Sequence, residues 1–191
     1  MTIDYYNNNA EDFFYNTVEA DMNEAYKQFL SYFNNGDFIL DLGCGSGRDS
    51  KYFLDKGYNV TSVDLSDELI ERASKFIKQK VLKLDMLKMK FENDFDGIWA
   101  CASILHIPKN KVSKVLSNCF KALRENGVLY ASFKYGDFEE VRNGRFFNYY
   151  DEASIKKVVE NSEFILEKIW ITRDVRLGRE NEKWLNIILK K

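Results

Sequence analysis

The seven residues Asp41-Leu42-Gly43-Cys44-Gly45-Ser46-Gly47 combine one carboxylate with three alternating glycines. The apolar run Phe38-Ile39-Leu40 leads into them, and the polar, helix-compatible Arg48 and Asp49 follow. This order predicts a strand, a tight turn and a helix start, the arrangement that cradles a nucleotide-like cofactor at the carboxyl edge of an α/β sheet. Asp41 narrows the choice of cofactor. A pyrophosphate seeks bare N–H groups and a positive helix end, and a carboxylate just ahead of the turn repels it. S-adenosylmethionine (SAM) has no phosphate; its ammonium and sulfonium are attracted by that charge. The glycine spacing agrees, being GxGxG rather than GxGxxG.

A second carboxylate stands where such a cofactor needs one. Tyr58-Asn59-Val60-Thr61-Ser62-Val63-Asp64 is rich in β-branched residues and predicts the next strand, ending in Asp64. A carboxylate about 20 residues past the first glycine, at the tip of the second strand, accepts from ribose hydroxyls. Here the chain resembles the class I SAM-dependent methyltransferases. Asp41 to Gly47 is similar to their first motif, Asp64 to their second, and Leu84-Asp85-Met86 to their third. The resemblance implies that Asp85 meets the adenine amino group while Met86 packs on the ring. It also implies cofactor contacts at Leu42, Gly43, Cys44, Gly45, Leu65 and Cys101, with SAM as cofactor and S-adenosylhomocysteine as product. Arg48 either reaches the SAM carboxylate or pairs with a neighbouring acid.

Methyl transfer from a sulfonium is an in-line displacement, so an enzyme supplies positioning and a way to deprotonate the nucleophile. The only histidine, His106, follows the predicted fourth strand in Ala102-Ser103-Ile104-Leu105-His106-Ile107-Pro108. It is expected to serve as a base or substrate clamp; the alternative is a ring that bonds nearby backbone and steadies the loop. Arg145 and Tyr149 join it as candidate catalytic residues, from the segment Arg142-Asn143-Gly144-Arg145-Phe146-Phe147-Asn148-Tyr149-Tyr150. Arginines interleaved with aromatics suit an anionic or planar acceptor. In a third cluster, Arg173 to Arg179, Arg173 is expected to face the pocket and Arg179 to stay solvated in a hairpin loop. Tyr5, Tyr6, Phe14 and Tyr15 predict either a lid over the cofactor or a helix packed on the core.

The elements that must hold these residues alternate. Helical periodicity covers about 10–33, 47–55, 66–77, 109–124 and 151–160. Strands are expected at 38–42, 58–64, 81–84, 95–102, 128–133, 165–172 and 183–189. Alternating β and α predicts an α/β, Rossmann-like, doubly wound sheet with helices on both faces. By resemblance it has seven mostly parallel strands, the last antiparallel. One domain over 1–191 is expected, with residues 1–35 as a helical lid, 36–135 as the cofactor-binding half and 136–191 as the substrate side.

Composition limits the remaining choices. A 45% apolar and 15% aromatic content argues for a packed globule. Cys44, Cys101 and Cys119 are too scattered for a disulfide framework or a zinc site, so no metal is expected. No run approaches the ~18 apolar residues of a membrane span, and the start shows no signal-peptide pattern, which predicts a cytoplasmic protein. A net charge of −2 gives no global attraction to nucleic acid. Within the superfamily, 99–108 and 130–134 are similar to small stand-alone bacterial enzymes grouped with tellurite-resistance methyltransferases. A weaker likeness links 145–150 and the carboxyl-terminal arginines to methyltransferases of modified tRNA wobble uridines. A small-molecule methyltransferase, monomeric or homodimeric, is therefore expected. The alternatives are a tRNA enzyme and a non-catalytic SAM-binding module. Tyr130 and Lys134 match the spacing of short-chain dehydrogenases, but on a predicted strand rather than the helix that chemistry needs.

Overall fold

The computed structural model describes residues 2–176, 178–179 and 181–191. Five parallel strands come first: β1 (Phe38–Leu42), β2 (Asn59–Asp64), β3 (Leu82–Lys83), β4 (Phe95–Ala100) and β5 (Leu123–Tyr135). They lie in the order β3-β2-β1-β4-β5. Beyond β5, β9 (Lys183–Lys190) pairs antiparallel, from Val128 opposite Lys190 to Lys134 opposite Trp184. The strand β8 (Ile165–Arg173) closes that edge, antiparallel to β9. These seven strands are the sheet anticipated from the sequence, with β9 the reversed one. Chain order turns around between β1 and β4, and this switch point opens a crevice at the carboxyl ends of the strands.

Two further strands, β6 (Glu139–Arg142) and β7 (Arg145–Tyr150), form an antiparallel hairpin at 139–150. There β7 runs parallel to the last residues of β5, with Lys134 opposite Tyr149. The signal for it was Asn143-Gly144, whose φ angles of 52° and 74° suit a two-residue hairpin turn.

The helices α4 (Arg48–Asp55), α5 (Asp67–Ile77), α6 (Lys109–Ala122) and α7 (Glu152–Glu160) follow the expected spans closely. The Ser66 hydroxyl caps α5 by accepting from the Leu69 N–H. The periodic stretch at 10–33 is not one helix. It divides into α2 (Ala10–Thr17) and α3 (Asn23–Leu30), with α1 (Thr2–Asn8) before them. The break follows from local chemistry: the Asp21 carboxylate accepts from the Asn23 N–H at 2.8 Å and starts a new helix. The third strand shrinks to two residues. Helix α6 stops at Ala122, because Leu123 already pairs with Phe95 across an irregularity in the ladder.

Apolar residues fill both faces of the sheet. Under α6 and α7 lie Leu40, Ile98, Leu129, Leu116, Ile155 and their neighbours. The other face is aromatic: Tyr26 and Phe29 of α3 and Phe53 of α4 meet Trp99 and Tyr130, whose rings stack 4.0 Å apart. Gly97 makes room for this layer, since a Cβ there would lie 2.5 Å from Phe33 and 2.9 Å from Phe29.

Candidate active site

A cavity of about 840 Å³ occupies the crevice at the switch point, within the usual range for a small-molecule site. The glycine turn forms its floor. The N–H groups of Gly43 and Cys44 both donate to the Val63 carbonyl at 2.9 Å. Gly45 N–H donates to Asp64 Oδ2 at 2.9 Å, and Gly47 N–H to the Cys44 carbonyl. These four amides are spent on the protein itself, so the turn offers no such N–H cradle to a phosphate. Gly43 has φ +81°, and a Cβ on it would stand 2.6 Å from the Ser103 Cβ, so only glycine lets the turn pass beneath Ser103.

Carboxylates dominate this half. Asp64 keeps its place by accepting from Leu65 N–H and Ser66 N–H as well as Gly45 N–H. Burial raises its pKa, and those three backbone donors oppose the rise. Asp41 is fully buried beneath the cavity and accepts from the Ser50 hydroxyl at 2.6 Å, which in turn bonds Ser62. Burial and then the neighbouring Asp49 charge push Asp41 up to about 8. It lies outside the cavity lining and is largely protonated near neutrality, so it does not supply the attracting charge expected there from the sequence. Asp49, which the sequence reading treated only as a helix-start residue, reaches the cavity instead. Burial works against its charge, but Arg48 and hydrogen bonds from Arg48, Tyr26 and Trp99 hold its pKa low. The Tyr26 hydroxyl donates at 2.5 Å and the Trp99 Nε1 at 2.8 Å.

Arg48 resolves toward its neighbour. Its Nε and Nη2 grip Asp49 at 2.6 and 2.9 Å, with Nη2 also 3.7 Å from the Cys101 sulfur. Leu42, Cys44, Leu65 and Cys101 line the same cavity. So do Asp85 and Met86; Asp85 Oδ1 accepts from Leu87 N–H, and Asn118 holds the Met86 carbonyl. With its loop amides consumed and the Asp64 carboxylate beside them, the floor fits a cofactor without phosphate; Asp49 is already matched by Arg48, and Asp41 is largely protonated near neutrality.

The other half lies under the hairpin and the amino-terminal helices. His106 lines it with both ring nitrogens occupied: Nδ1 is 2.7 Å from the Phe146 carbonyl and Nε2 2.8 Å from the Tyr6 hydroxyl. Because a carbonyl only accepts, the proton sits on Nδ1 and Nε2 accepts from Tyr6. Burial, opposed by the Phe146 bond and aided by the Arg145 charge, lowers the ring's pKa to about 4. Such a ring is a poor base near neutrality, which corrects the expectation of a proton acceptor in favour of the steadying, backbone-bonded alternative.

Arg145 does line the cavity, its guanidinium 4.3 Å from the Tyr5 ring centroid and 5.1 Å from that of Phe147. Tyr149 does not. It shares a face of β7 with Arg145 and Phe147 but lies farther along, stacked on Phe138 and bonded to Glu140 at 2.5 Å. It borders a separate recess of about 230 Å³ with Lys134, Arg142 and Glu182. Arg179, expected in solvent, lines the main cavity together with Arg173 and Arg176.

Helix α1 closes one side through polar contacts. Thr2 Oγ1 accepts from Phe146 N–H at 3.0 Å, Asn7 Oδ1 accepts from the Ser66 hydroxyl at 2.7 Å, and Tyr6 meets His106. None of its residues is buried. Of the aromatics expected in a lid, Tyr6 lines the cavity and Tyr5 backs Arg145, whereas Tyr15 is 68% exposed and Phe14 packs on Phe76.

Among the described residues, no group of three or more His, Cys, Asp or Glu is placed to hold a metal ion, and no helix is long and apolar enough to cross a membrane. Residues 39–127 match the methyltransferase domain family. The protein YqeM of Bacillus subtilis is 34% identical over 111 residues, covering 50% of this chain and 43% of that one. Sterol 24-C-methyltransferase ERG6 of Saccharomyces cerevisiae is 32% identical over 114 residues, covering 55% and 29%. The chain thus spans less than half the length of these curated relatives. In fold it is similar to the 1,6-didemethyltoxoflavin-N1-methyltransferase of Burkholderia thailandensis, with a TM-score of 0.80 and 19% identity over 99% of this chain and 84% of that one. Residues 39–127 are thus similar to a methyltransferase domain, and the chain shares the α/β fold of a solved methyltransferase.

Proposed function

We propose that the chain binds SAM in the acidic half of the cavity and transfers its methyl group to a small molecule held in the other half. One observation carries this reading. A floor hostile to phosphate but favourable to a cation opens directly into a second compartment within the same 840 Å³. When bound, SAM supplies an electrophilic methyl group on a sulfonium. Asp64 accepts from the ribose hydroxyls, and Asp85 and Met86 read the adenine through an acceptor oxygen and a polarizable surface. The Asp49–Arg48 pair borders the amino-acid end, while Cys101 borders the reacting region. The Tyr6–His106 pair and Arg145 position the acceptor. With its only histidine engaged and a poor base, the chain orients the nucleophile and excludes water more than it removes a proton.

In this reading residues 1–35 close the cavity, 36–135 hold the cofactor and 136–191 meet the substrate, in one cytoplasmic domain acting as a monomer or homodimer. The likeness of 99–108 and 130–134 to the tellurite-resistance group concerns subgroup and leaves the acceptor open.

Calorimetry with SAM, S-adenosylhomocysteine and NAD tests the cofactor. Tighter binding of NAD than of SAM would defeat it. Incubating the protein with SAM and separate metabolite and tRNA pools, then seeking mass increments of ~14 Da (the CH₂ added per methylation), tests the transfer. Methylation confined to tRNA would favour the nucleic-acid alternative, and SAM binding without any increment would favour a non-catalytic module.

A further inference from the structure

The acceptor half of the cavity is strongly cationic, although the whole chain carries a net charge of −2. Lys134, Arg142, Arg145, Arg173, Arg176 and Arg179 line it, against Asp174 among the lining acids of that end. Some of this charge is already matched. Glu182 pairs with Lys134 and lies 3.4 Å from Arg142. Asp174 is buried and takes both Nε and Nη2 of Arg176, with Trp184 Nε1 completing its shell at 3.1 Å.

Three arginines are left over. Arg145, Arg173 and Arg179 have no carboxylate within ion-pair distance among the described residues, and of these Arg145 is the most shielded. The Arg145 guanidinium lies between the Tyr5 and Phe147 rings, and its Nε is buried without a hydrogen-bond partner. A shielded guanidinium with an unused donor is costly unless an anion joins it. Arg173 is exposed at the cavity mouth, where its charge draws anions inward. Around these charges, Tyr6, Phe147 and Trp184 offer ring surfaces.

We propose that the acceptor is a small, ring-bearing anion, a carboxylate or a phosphate monoester, whose charged group is gripped by Arg145 and guided by Arg173. This rests on the assignment of the other half to SAM. A planar guanidinium fork matches either oxyanion, and the aromatic walls receive the ring. The arginines face a walled cavity rather than an open strip of surface, which suits a free small molecule better than a nucleic-acid backbone.

The test is calorimetry on the protein saturated with S-adenosylhomocysteine, using benzoate, phenyl phosphate and the uncharged benzamide as probes. At least one anion should bind roughly tenfold more tightly than benzamide, and which one does so distinguishes carboxylate from phosphate. Arg145→Gln should cost that anion about tenfold and leave benzamide and S-adenosylhomocysteine affinities unchanged. Should this variant melt abnormally, raising salt on the unaltered protein should weaken the anion and spare benzamide. Equal affinity for benzamide and both anions, no saturable anion binding, or an anion affinity indifferent to Arg145→Gln in a folded variant would overturn the proposal. Unfractionated tRNA displacing the anion at lower concentration than free phosphate does would overturn its small-molecule part. Failure to bind S-adenosylhomocysteine is read in a prior titration and counts against the cofactor assignment, while anion selectivity is then judged on the protein alone.

Discussion

Acidification should destabilise this protein through His106, and the chain's single histidine makes the effect separable. In the unfolded chain the ring protonates near pH 6.5; in the fold, burial and Arg145 delay this to about 4. Between those values the unfolded state binds more protons than the native state. Stability from this group is thus complete above pH 6.5 and drains away as the pH falls toward 4. At 1.36 kcal/mol per pH unit, the gap between 6.5 and about 4 gives about 3 kcal/mol, a ceiling because the ring faces the cavity rather than solid core. Proton NMR reads the titration directly, since one ring Cε1–H resonance belongs to one residue. Urea unfolding between pH 7 and 5 reads the energy as the difference in slope between the unaltered protein and His106→Asn, because the raised pKa of Asp41 tilts the total slope the other way in both. A native midpoint at or above 6.5, or an unchanged slope in the variant, would refute the buried, Nδ1-protonated ring.

Other outcomes follow from the cofactor half. Asp64→Ala removes charge-assisted acceptors typically worth ~1.5–3 kcal/mol and should weaken SAM binding by roughly 10- to 150-fold in calorimetry; an unchanged affinity would contradict the ribose role. Asp49→Ala strands Arg48, the Tyr26 hydroxyl and Trp99 Nε1 in a buried setting. Breaking a buried pair costs ~3–5 kcal/mol, so the melting temperature should drop by roughly 6–20 °C at this chain length, and a shift below about 2 °C would show the hub is dispensable. Gly43→Ala puts a Cβ 2.6 Å from that of Ser103 at φ +81°. It should lower both melting temperature and SAM affinity, with Ser103→Gly recovering part of the loss; full tolerance of the first change would mean the turn is not confined.

The glycine-turn half of the cavity was legible in the sequence because its structure is local. Asp41, Gly43, Gly45 and Asp64 each close a strand or a turn that their own neighbours dictate, and the strand order follows from alternation. Asp49 was harder to recognise. A carboxylate in the first turn of a helix has an ordinary explanation, and only the packing of Tyr26 and Trp99 from distant elements gives it another. The acceptor half depends on such long-range encounters throughout. Tyr6 meets His106 across 100 positions, which no spacing rule reports. Tyr149 misled for a related reason. Strand alternation puts it on the face of Arg145, but distance along β7 carries it past the cavity wall. The hairpin at 139–150 carries its signal in Asn143-Gly144, two residues that adopt the positive φ angles of a tight turn.

Helix α1 deserves a kinetic reading. It is held by hydrogen bonds of Thr2, Tyr6 and Asn7, by the Arg145–Tyr5 contact and by edge contacts of the Tyr6 ring with Phe13 and His106, while none of its residues is fully buried. Each such hydrogen bond is worth a net ~1 kcal/mol, so this helix opens at lower cost than the core behind it. A ligand that passes this way meets the same barrier arriving and leaving. Both its association and its dissociation are slowed. The helix is thus clock and wall at once: Tyr6 touches what is bound, and the helix that carries it sets how long the molecule stays.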